Sequence, residues 1–211
     1  VFTNVATITF VSACASAISS RRRIPSATIR ASSATGPALI RAAVVAAGGI
    51  LNNGGTVRLS KATVKRNTVL AGLGPGAGVA GGIVTTTGGT TVLSRTVVKD
   101  NEGRTLGVGG DVIVGGGVAI LGEPAALTLD RSTVSGNRAV AEGGTAASGA
   151  GGLALAGTTT LSQSTVSGNE AKARAVPAAV LGGGILNRGV LQVDAASTDR
   201  YDRTEITDNE T

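Results

Sequence analysis

The stretches Gly48-Gly49-Ile50 and Val64-Lys65-Arg66-Asn67 decide the fold, because the patterns they carry return at regular intervals along the chain. The first pattern is a glycine pair followed by a branched aliphatic residue, and it occurs at residues 48–50, 81–83, 116–118, 151–153 and 183–185. Successive copies are separated by 33, 35, 35 and 32 residues. A repeat of this length is typical of a solenoid, in which each repeat packs only on its neighbours.

The second pattern is an aliphatic residue three positions before an asparagine. The asparagines of the five copies are Asn67, Asn101, Asn137, Asn169 and Asn209. After each of the first four, the next glycine pair follows 14 or 15 residues later, so the two patterns stay in phase over the repeats. A flexible glycine-rich linker would not keep an asparagine in register with its glycines. The shared phase therefore predicts one continuous repeat architecture.

Alignment of the copies on the asparagine gives further columns. Position −3 is always Val or Ile, position −8 is Leu in four copies, and position −5 is always small. Four stretches combine alternation with β-branched residues and so predict strands: TVRLSKATV at 56–64, TTVLSRTVV at 90–98, LTLDRSTV at 127–134 and TTLSQSTV at 159–166. No stretch combines helical spacing with caps. The sequence predicts an all-β solenoid, a parallel β-helix of about five regular coils, with the asparagines stacked as a ladder at one corner.

These motifs resemble the repeat of the polymorphic outer-membrane proteins, written GGA[ILV] and FxxN, and broader bacterial β-helix repeats of the form GGGIYN…TLTNSTISGN. The best matches are Gly-Gly-Ile-Leu-Asn at 183–187 and Ser-Thr-Val-Ser-Gly-Asn at 132–137 and 164–169. The resemblance implies a right-handed parallel β-helix, export, and an adhesin-like role at an outer membrane or cell wall. An aliphatic residue replaces the Phe of FxxN, which favours the broader group.

The regular repeats occupy residues 48–211, with coils that start near 48, 81, 116, 151 and 183. Residues 1–47 predict a degenerate or capping coil, because Ser-Ala-Thr-Ile at 26–29 stands 35 residues before Lys-Ala-Thr-Val at 61–64. Terminal repeats of solenoids are commonly atypical. The chain begins with Val1 and stops within a repeat, so we expect it to be a fragment of a longer protein.

Composition argues against several functions. The net charge is +6, but residues 1–47 carry five arginines and no acid, so the remainder is almost neutral. Aromatic residues make up 1% of the chain, and the interleaved cations and aromatics of nucleic-acid binding are missing. No apolar run is long enough for a transmembrane helix. With these classes disfavoured, the resemblance implies a secreted or surface-displayed structural and adhesion module.

An enzyme that acts on polysaccharides is the alternative. Its candidate residues are Asp194, Asp199 and Asp202, with Arg200 and Arg203 nearby. Paired carboxylates can cleave glycosidic bonds, but the same cluster is also typical of a solvated turn, and the chain has no His to act as a base. The aspartates do not recur at a calcium-binding spacing. We therefore expect a non-catalytic protein without a metal or cofactor.

One candidate binding surface follows from the columns. Cations recur at position −6 and, in the first two copies, at position −2: Lys61, Arg95, Arg131 and Arg203, with Lys65 and Lys99. We expect position −6 to lie at the start of a strand, and both positions to point outwards. Coils about 4.8 Å apart would stack these cations into a stripe for an anionic glycan or polymer, such as teichoic acid or lipopolysaccharide. A solvated face relieved by nearby aspartates is the other interpretation, and a host or cell-surface protein is a further possible partner.

Overall fold

The computed structural model describes residues 28–29, 39–42, 45–73, 78–86, 88–108, 113–144, 146–174, 176, 178–194 and 205–211. Within these residues all of the regular secondary structure is β-strand. The strands pair in parallel with the equivalent strands of neighbouring coils. The prediction of an all-β parallel β-helix is thus confirmed.

Each complete coil has five strands. Two strands precede the first complete coil: β1 (Thr28–Ile29) and β2 (Leu39–Ala42). Coil 1 contains β3 (Val45–Ala47), β4 (Ile50–Asn52), β5 (Thr56–Ser60), β6 (Thr63–Lys65) and β7 (Thr68–Leu73). Coil 2 contains β8 (Gly78–Ala80), β9 (Ile83–Thr85), β10 (Thr90–Ser94), β11 (Val97–Lys99) and β12 (Glu102–Val108). Coil 3 contains β13 (Ile113–Gly115), β14 (Val118–Ile120), β15 (Ala126–Asp130), β16 (Thr133–Ser135) and β17 (Arg138–Gly144). Coil 4 contains β18 (Ala146–Ala150), β19 (Leu153–Leu155), β20 (Thr158–Ser162), β21 (Thr165–Ser167) and β22 (Glu170–Arg174). Coil 5 contains β23 (Ala178–Gly182), β24 (Ile185–Asn187), β25 (Val190–Asp194) and β26 (Glu205–Thr207).

Equivalent strands stack into five parallel sheets, numbered in the order in which a coil passes through them. The strand orders are β3-β8-β13-β18-β23 in sheet 1, β4-β9-β14-β19-β24 in sheet 2, β5-β10-β15-β20-β25 in sheet 3, β1-β6-β11-β16-β21-β26 in sheet 4 and β2-β7-β12-β17-β22 in sheet 5. The aligned columns are in register, since Val98 lies between Val64 and Val134. In β1, Thr28 lies opposite Thr63, the 35-residue offset of the sequence alignment. The rest of residues 1–44, apart from β1 and β2, lies outside the described residues.

Each stretch predicted as one strand is in fact two strands in two sheets. The break falls at position −6, where Lys61, Arg95, Arg131 and Gln163 have positive φ angles of 52°, 50°, 48° and 49°. This left-handed residue turns the chain from sheet 3 into sheet 4. The prediction that position −6 starts a strand is therefore wrong, because the column forms a bend.

A second left-handed bend, at position −1, turns the chain from sheet 4 into sheet 5. The residues with positive φ in this column are Arg66, Asp100, Gly136, Gly168 and Asp208. Sheet 4 is thus a strip of three-residue strands between two bends. Both bends remove backbone groups from regular sheet pairing, and those groups need other partners.

Buried polar side chains directly after each bend supply these partners. After the first bend, the backbone N–H of Thr96 donates to Ser132 Oγ and that of Ser132 donates to Ser164 Oγ, each at 3.0 Å. After the second bend, Asn101 Nδ2 donates to Asn137 Oδ1 at 2.9 Å and to the carbonyl oxygen of Val64 at 3.0 Å. The remaining asparagines continue this ladder, with amide–amide hydrogen bonds from Asn67 to Asn101, Asn137 to Asn169 and Asn169 to Asn209.

The interior is divided into two lobes. The larger lobe lies between sheets 2, 3 and 4 and includes the aligned leucine and valine columns: Leu59, Leu93, Leu129, Leu161, Val64, Val98, Val134 and Val166. The smaller lobe lies between sheets 5 and 1 and holds mainly small residues: Val69, Val79, Val114, Ala139, Ala141, Ala147 and Ala171. Alternate residues of sheet 2 point to opposite sides, with Ile83 in the larger lobe and Val84 in a third cluster between sheets 1 and 2.

Between the two lobes, the glycine pair lies directly against the asparagine corner of its own coil. A Cβ atom on Gly116, the first glycine of its pair, would lie 2.5 Å from the backbone nitrogen of Arg138. A Cβ atom on Gly117, the second, would lie 3.1 Å from Asn137 Nδ2. We call this contact the waist. Each coil carries one glycine pair and one asparagine of the ladder because the two meet there.

Replacement of Gly116 by Ala should destabilise the protein by about 2–3 kcal/mol, because the new methyl group would overlap backbone atoms that belong to two coils. Gly55→Ala is the matched control, since its Cβ atom would lie 3.4 Å from its nearest neighbour, Asn52 Oδ1. Urea unfolding of both variants measures the difference. Equal stability of the two variants would contradict the close approach at the waist.

Replacement of Asn137 by Ala should lower the free energy of unfolding by about 1–3 kcal/mol, because it leaves buried groups of Asn101 and Asn169 without partners. Asn209→Ala should have a smaller effect, since Asn209 is only partly buried and hydrogen-bonds to one described asparagine of the ladder instead of two. Thermal unfolding followed by circular dichroism compares them. An unchanged melting temperature of the Asn137→Ala variant would show that the ladder does not contribute to stability.

Candidate functional site

The outward side of sheet 4 is a narrow strip bordered by the two bends. The −3 valines point inwards and are fully buried, so the alternating positions −4 and −2 point outwards. Position −4 is partly exposed and mostly Thr: Thr63, Val97, Thr133 and Thr165. This position forms the floor of the candidate site.

Cations border this floor on both sides in the first coils. Lys61, Arg95 and Arg131 lie on the first bend and are exposed, while Lys65 and Lys99 end their strands and are partly exposed. Arg66, on the second bend, is also exposed. We call these six residues the cationic face. Arg203, the last predicted member of the stripe, lies outside the described residues.

The cations on the first bend, Lys61, Arg95 and Arg131, form the first row of the cationic face, and Lys65 and Lys99 form the second row. The backbone holds successive members of the first row in neighbouring coils. The backbone N–H of Lys61 donates to the carbonyl oxygen of Ser94, and that of Arg95 donates to the carbonyl oxygen of Asp130. In the second row, Lys65 and Lys99 are direct partners in the sheet. At the end of the first row, Arg131 Nε donates to Gln163 Oε1 at 2.5 Å. Neighbouring side chains of this row can therefore reach one another.

Few carboxylates neutralise the cationic face. Lys99 Nζ lies 3.9 Å from Asp100 Oδ2, and both side chains are almost half exposed. For the other five cations, the described residues include no carboxylate within ion-pair distance. Asp130 accepts a hydrogen bond from Ser94 Oγ instead. The cationic face therefore combines like charges that are accessible to solvent.

The outward side of sheet 5 has the opposite charge arrangement. Glu102, Arg138 and Glu170 are partners in three successive coils, so charges of opposite sign alternate along the axis. Arg138 Nε lies 2.8 Å from Glu170 Oε2, and Arg104 pairs with Glu142 at 2.7 Å. In coils 2 to 4 every described charged residue on this side takes part in an ion pair, the others being Lys172 and Arg174. This surface has little charge left to offer a ligand.

These ion pairs shift two pKa values. Contact with Lys172 is the largest cause that lowers the pKa of Glu170 below its usual value; Arg138 acts in the same direction and burial opposes both. The hydrogen bond from Arg104 to Glu142 raises the pKa of that arginine, and the negative charge of Glu142 acts in the same direction. Both shifts favour the charged forms that hold the coils together on this side.

Sequence reasoning missed Arg66. The alignment considered positions −6 and −2, whereas Arg66 stands at position −1. A signal was present, because Gly136 and Gly168 occupy the same column and mark a backbone that favours glycine. Position −6 carries no glycine in the copies aligned, so its bend had no such signal.

Of the three carboxylates of the enzymatic alternative, Asp194 lies within the described residues. Asp194 ends β25 and accepts a hydrogen bond from Ser162 Oγ at 3.3 Å. Asp199 and Asp202, with Arg200 and Arg203, lie outside the described residues. The part of the chain that is described contains no group of His, Cys, Asp or Glu side chains able to hold a metal ion. It also contains no helix with the length and apolar character needed to cross a membrane.

Comparison with known proteins adds no relative. No protein-family model matches the chain, and no curated protein or solved structure matches it significantly.

Replacement of Glu170 by Gln should lower stability by about 0.5–1 kcal/mol near neutral pH, because partly exposed ion pairs contribute modestly. The pKa of Glu170 is lowered in the folded protein, so its stabilisation is present above the unfolded pKa of about 4.3 and is lost as pH falls through the folded value. Urea unfolding over this pH range should show the two proteins converge in acid. Glu123→Gln, an exposed control without a described ion pair, should match the wild type throughout. A Glu170→Gln defect that is independent of pH would contradict an electrostatic origin.

Proposed function

We propose that this chain is a non-catalytic display module outside the cell, which binds linear anionic polymers through the cationic face of sheet 4. The observation that carries the proposal is the row of exposed long side chains at position −6, each in the left-handed conformation. This row combines a backbone strain that glycine would relieve with a charge repulsion that neutral residues would relieve.

The strain argument rests on residue choice. A residue with a Cβ atom is roughly 1–2 kcal/mol less favourable than glycine in the left-handed conformation. The chain contains 33 glycines and uses glycine twice at the other bend, at Gly136 and Gly168. At position −6 it instead has Lys61, Arg95, Arg131 and Gln163. A functional demand for outward cations accounts for the three charged residues, because Gln163 shows that the bend itself requires no charge.

The charge argument compares two sides of the same helix. Two like charges about 4.8 Å apart repel by about 1 kcal/mol in water. Sheet 5 avoids this by alternating Glu102, Arg138 and Glu170, whereas the first row of sheet 4 places Lys61, Arg95 and Arg131 in succession. An anionic polymer across these coils would relieve the repulsion and gain attraction from each cation in turn.

Resemblance supports the location and the adhesive role. The glycine-pair and asparagine motifs are similar to polymorphic outer-membrane protein repeats and broader bacterial β-helix repeats, which are exported. Anionic glycans and teichoic acid or lipopolysaccharide are abundant on cell surfaces, where a rigid solenoid can present one binding side. Antibody labelling of intact producer cells tests this location.

The binding experiment removes the first row. A variant with Lys61→Gly, Arg95→Gly and Arg131→Gly should bind heparin or an acidic glycan roughly ten- to a hundredfold more weakly at low salt, since each exposed cation contributes about 0.5–1 kcal/mol. Its thermal stability should equal or exceed that of the wild type, because glycine relieves the left-handed strain. Elution from heparin resin in a salt gradient measures the loss.

The matched control removes three cations from the outward side of sheet 5, by the substitutions Arg104→Ser, Lys172→Ser and Arg174→Ser. Both variants lose the same net charge, so a response to net charge alone would lower their elution salt equally. The proposal requires the control to elute near the wild type. Elution of the glycine variant with the wild type would show that the cationic face is only solvated.

A further inference from the structure

The described cations of the cationic face lie in three consecutive coils. The first row has one cation in each of coils 1, 2 and 3, at Lys61, Arg95 and Arg131, and a neutral Gln163 in coil 4. The second row has Lys65 and Lys99 in coils 1 and 2, and their partners in the next two coils are Ser135 and Ser167. Among the described residues, the cations of this face therefore span three consecutive coils.

The spacing of this charge is set by the backbone. Parallel strands lie about 4.8 Å apart, so a ligand that runs along the helix axis meets one cation of the first row per coil. A glycan chain advances by a comparable length for each pyranose ring. A ligand perpendicular to the axis, which follows the strands of a single coil, would meet only the cations at the two borders of a three-residue strip. The arrangement thus favours the axial direction and one charge per sugar.

The floor and its borders favour recognition through charge and hydroxyl groups. The described residues include no aromatic side chain on which a sugar ring or a base could stack. Nucleic-acid strands are held in grooves that combine cations with stacking aromatics. A polymer whose regular charges match the coil spacing needs no such platform.

We propose that the cationic face binds a linear polyuronate parallel to the solenoid axis, with three consecutive carboxylates at coils 1, 2 and 3. This inference rests on the proposed function and adds the ligand class, its direction and its register. Lys61, Arg95 and Arg131 each contact one carboxylate, and Lys65, Arg66 and Lys99 border the same chain from the other side.

Gln163 limits the length of the site. Its φ of 49° is close to the 48° of Arg131, and the two side chains are hydrogen-bonded. An arginine at position 163 would occupy the same bend and extend the first row by one coil. The same substitution at Gln192, an exposed position in β25 on sheet 3, adds the same charge away from the row.

The experiment measures the affinity of a series of oligouronates, from dimer to hexamer, by calorimetry at low salt. For the wild type, the association constant divided by the number of equivalent binding registers should rise up to the trimer and then level off. Gln163→Arg should gain roughly two- to fivefold for the tetramer and longer chains, but little for the trimer. Gln192→Arg should follow the wild type.

The outcomes separate the two proposals. If no oligouronate binds and heparin and polyglycerol phosphate do not bind either, the proposed function is overturned together with the inference. If these polyanions bind but oligouronate affinity rises without a break, or Gln192→Arg gives the same gain, the function survives and the axial register is wrong. Preference for the phosphodiester polymer at equal charge would overturn the polyuronate class alone.

Discussion

The close approach of the glycine pair to the asparagine corner is the constraint on which the rest of the structure depends. At the waist, the backbone of one part of the coil touches the backbone and amide of another, and no Cβ atom fits between them. This contact divides the interior into a larger aliphatic lobe and a smaller lobe of small residues. The sequence separation of the second glycine from the asparagine of its coil varies from 17 to 25, yet the contact recurs. Length variation is therefore confined to segments away from the waist.

The two bends around sheet 4 follow one structural rule. A left-handed residue turns the chain, and the next side chain points inwards to satisfy backbone groups that the bend has withdrawn from the sheet. Serine and threonine occupy this position after the first bend in coils 2 to 4, where coil 1 has Ala62, and asparagine follows the second bend. Because the residue before each inward polar group is turned outwards, the same device that closes the coil also places Lys61, Arg95 and Arg131 in solvent. The candidate site is thus a consequence of how the coil turns.

Stacking amplifies whatever charge pattern a column carries. In sheet 5 the alternation of Glu102, Arg138 and Glu170 converts close spacing into ion pairs, which stabilise neighbouring coils. In the first row of sheet 4 the same spacing brings like charges together, which weakens the fold locally and creates a surface complementary to a polyanion. Fold class alone would not distinguish these two sides, since both belong to one regular solenoid. The difference lies in a few residues of each column.

The sequence by itself determined the parallel β-helix, its coil length and its inward valine and leucine columns. In a periodic fold, the residues at equivalent positions of each coil must be apolar, small or amide, so the period is visible in the sequence. Only the tertiary structure decided that each predicted strand bends at position −6. A left-handed bend occupied by Lys, Arg or Gln has no glycine to reveal it, so Lys61 and its equivalents resembled strand residues. The second bend was visible in Gly136 and Gly168, and Arg66 could have been found from them. The division into two lobes was also hidden, since it depends on which glycines touch which asparagines across the coil, and that contact joins residues whose separation in sequence is not constant.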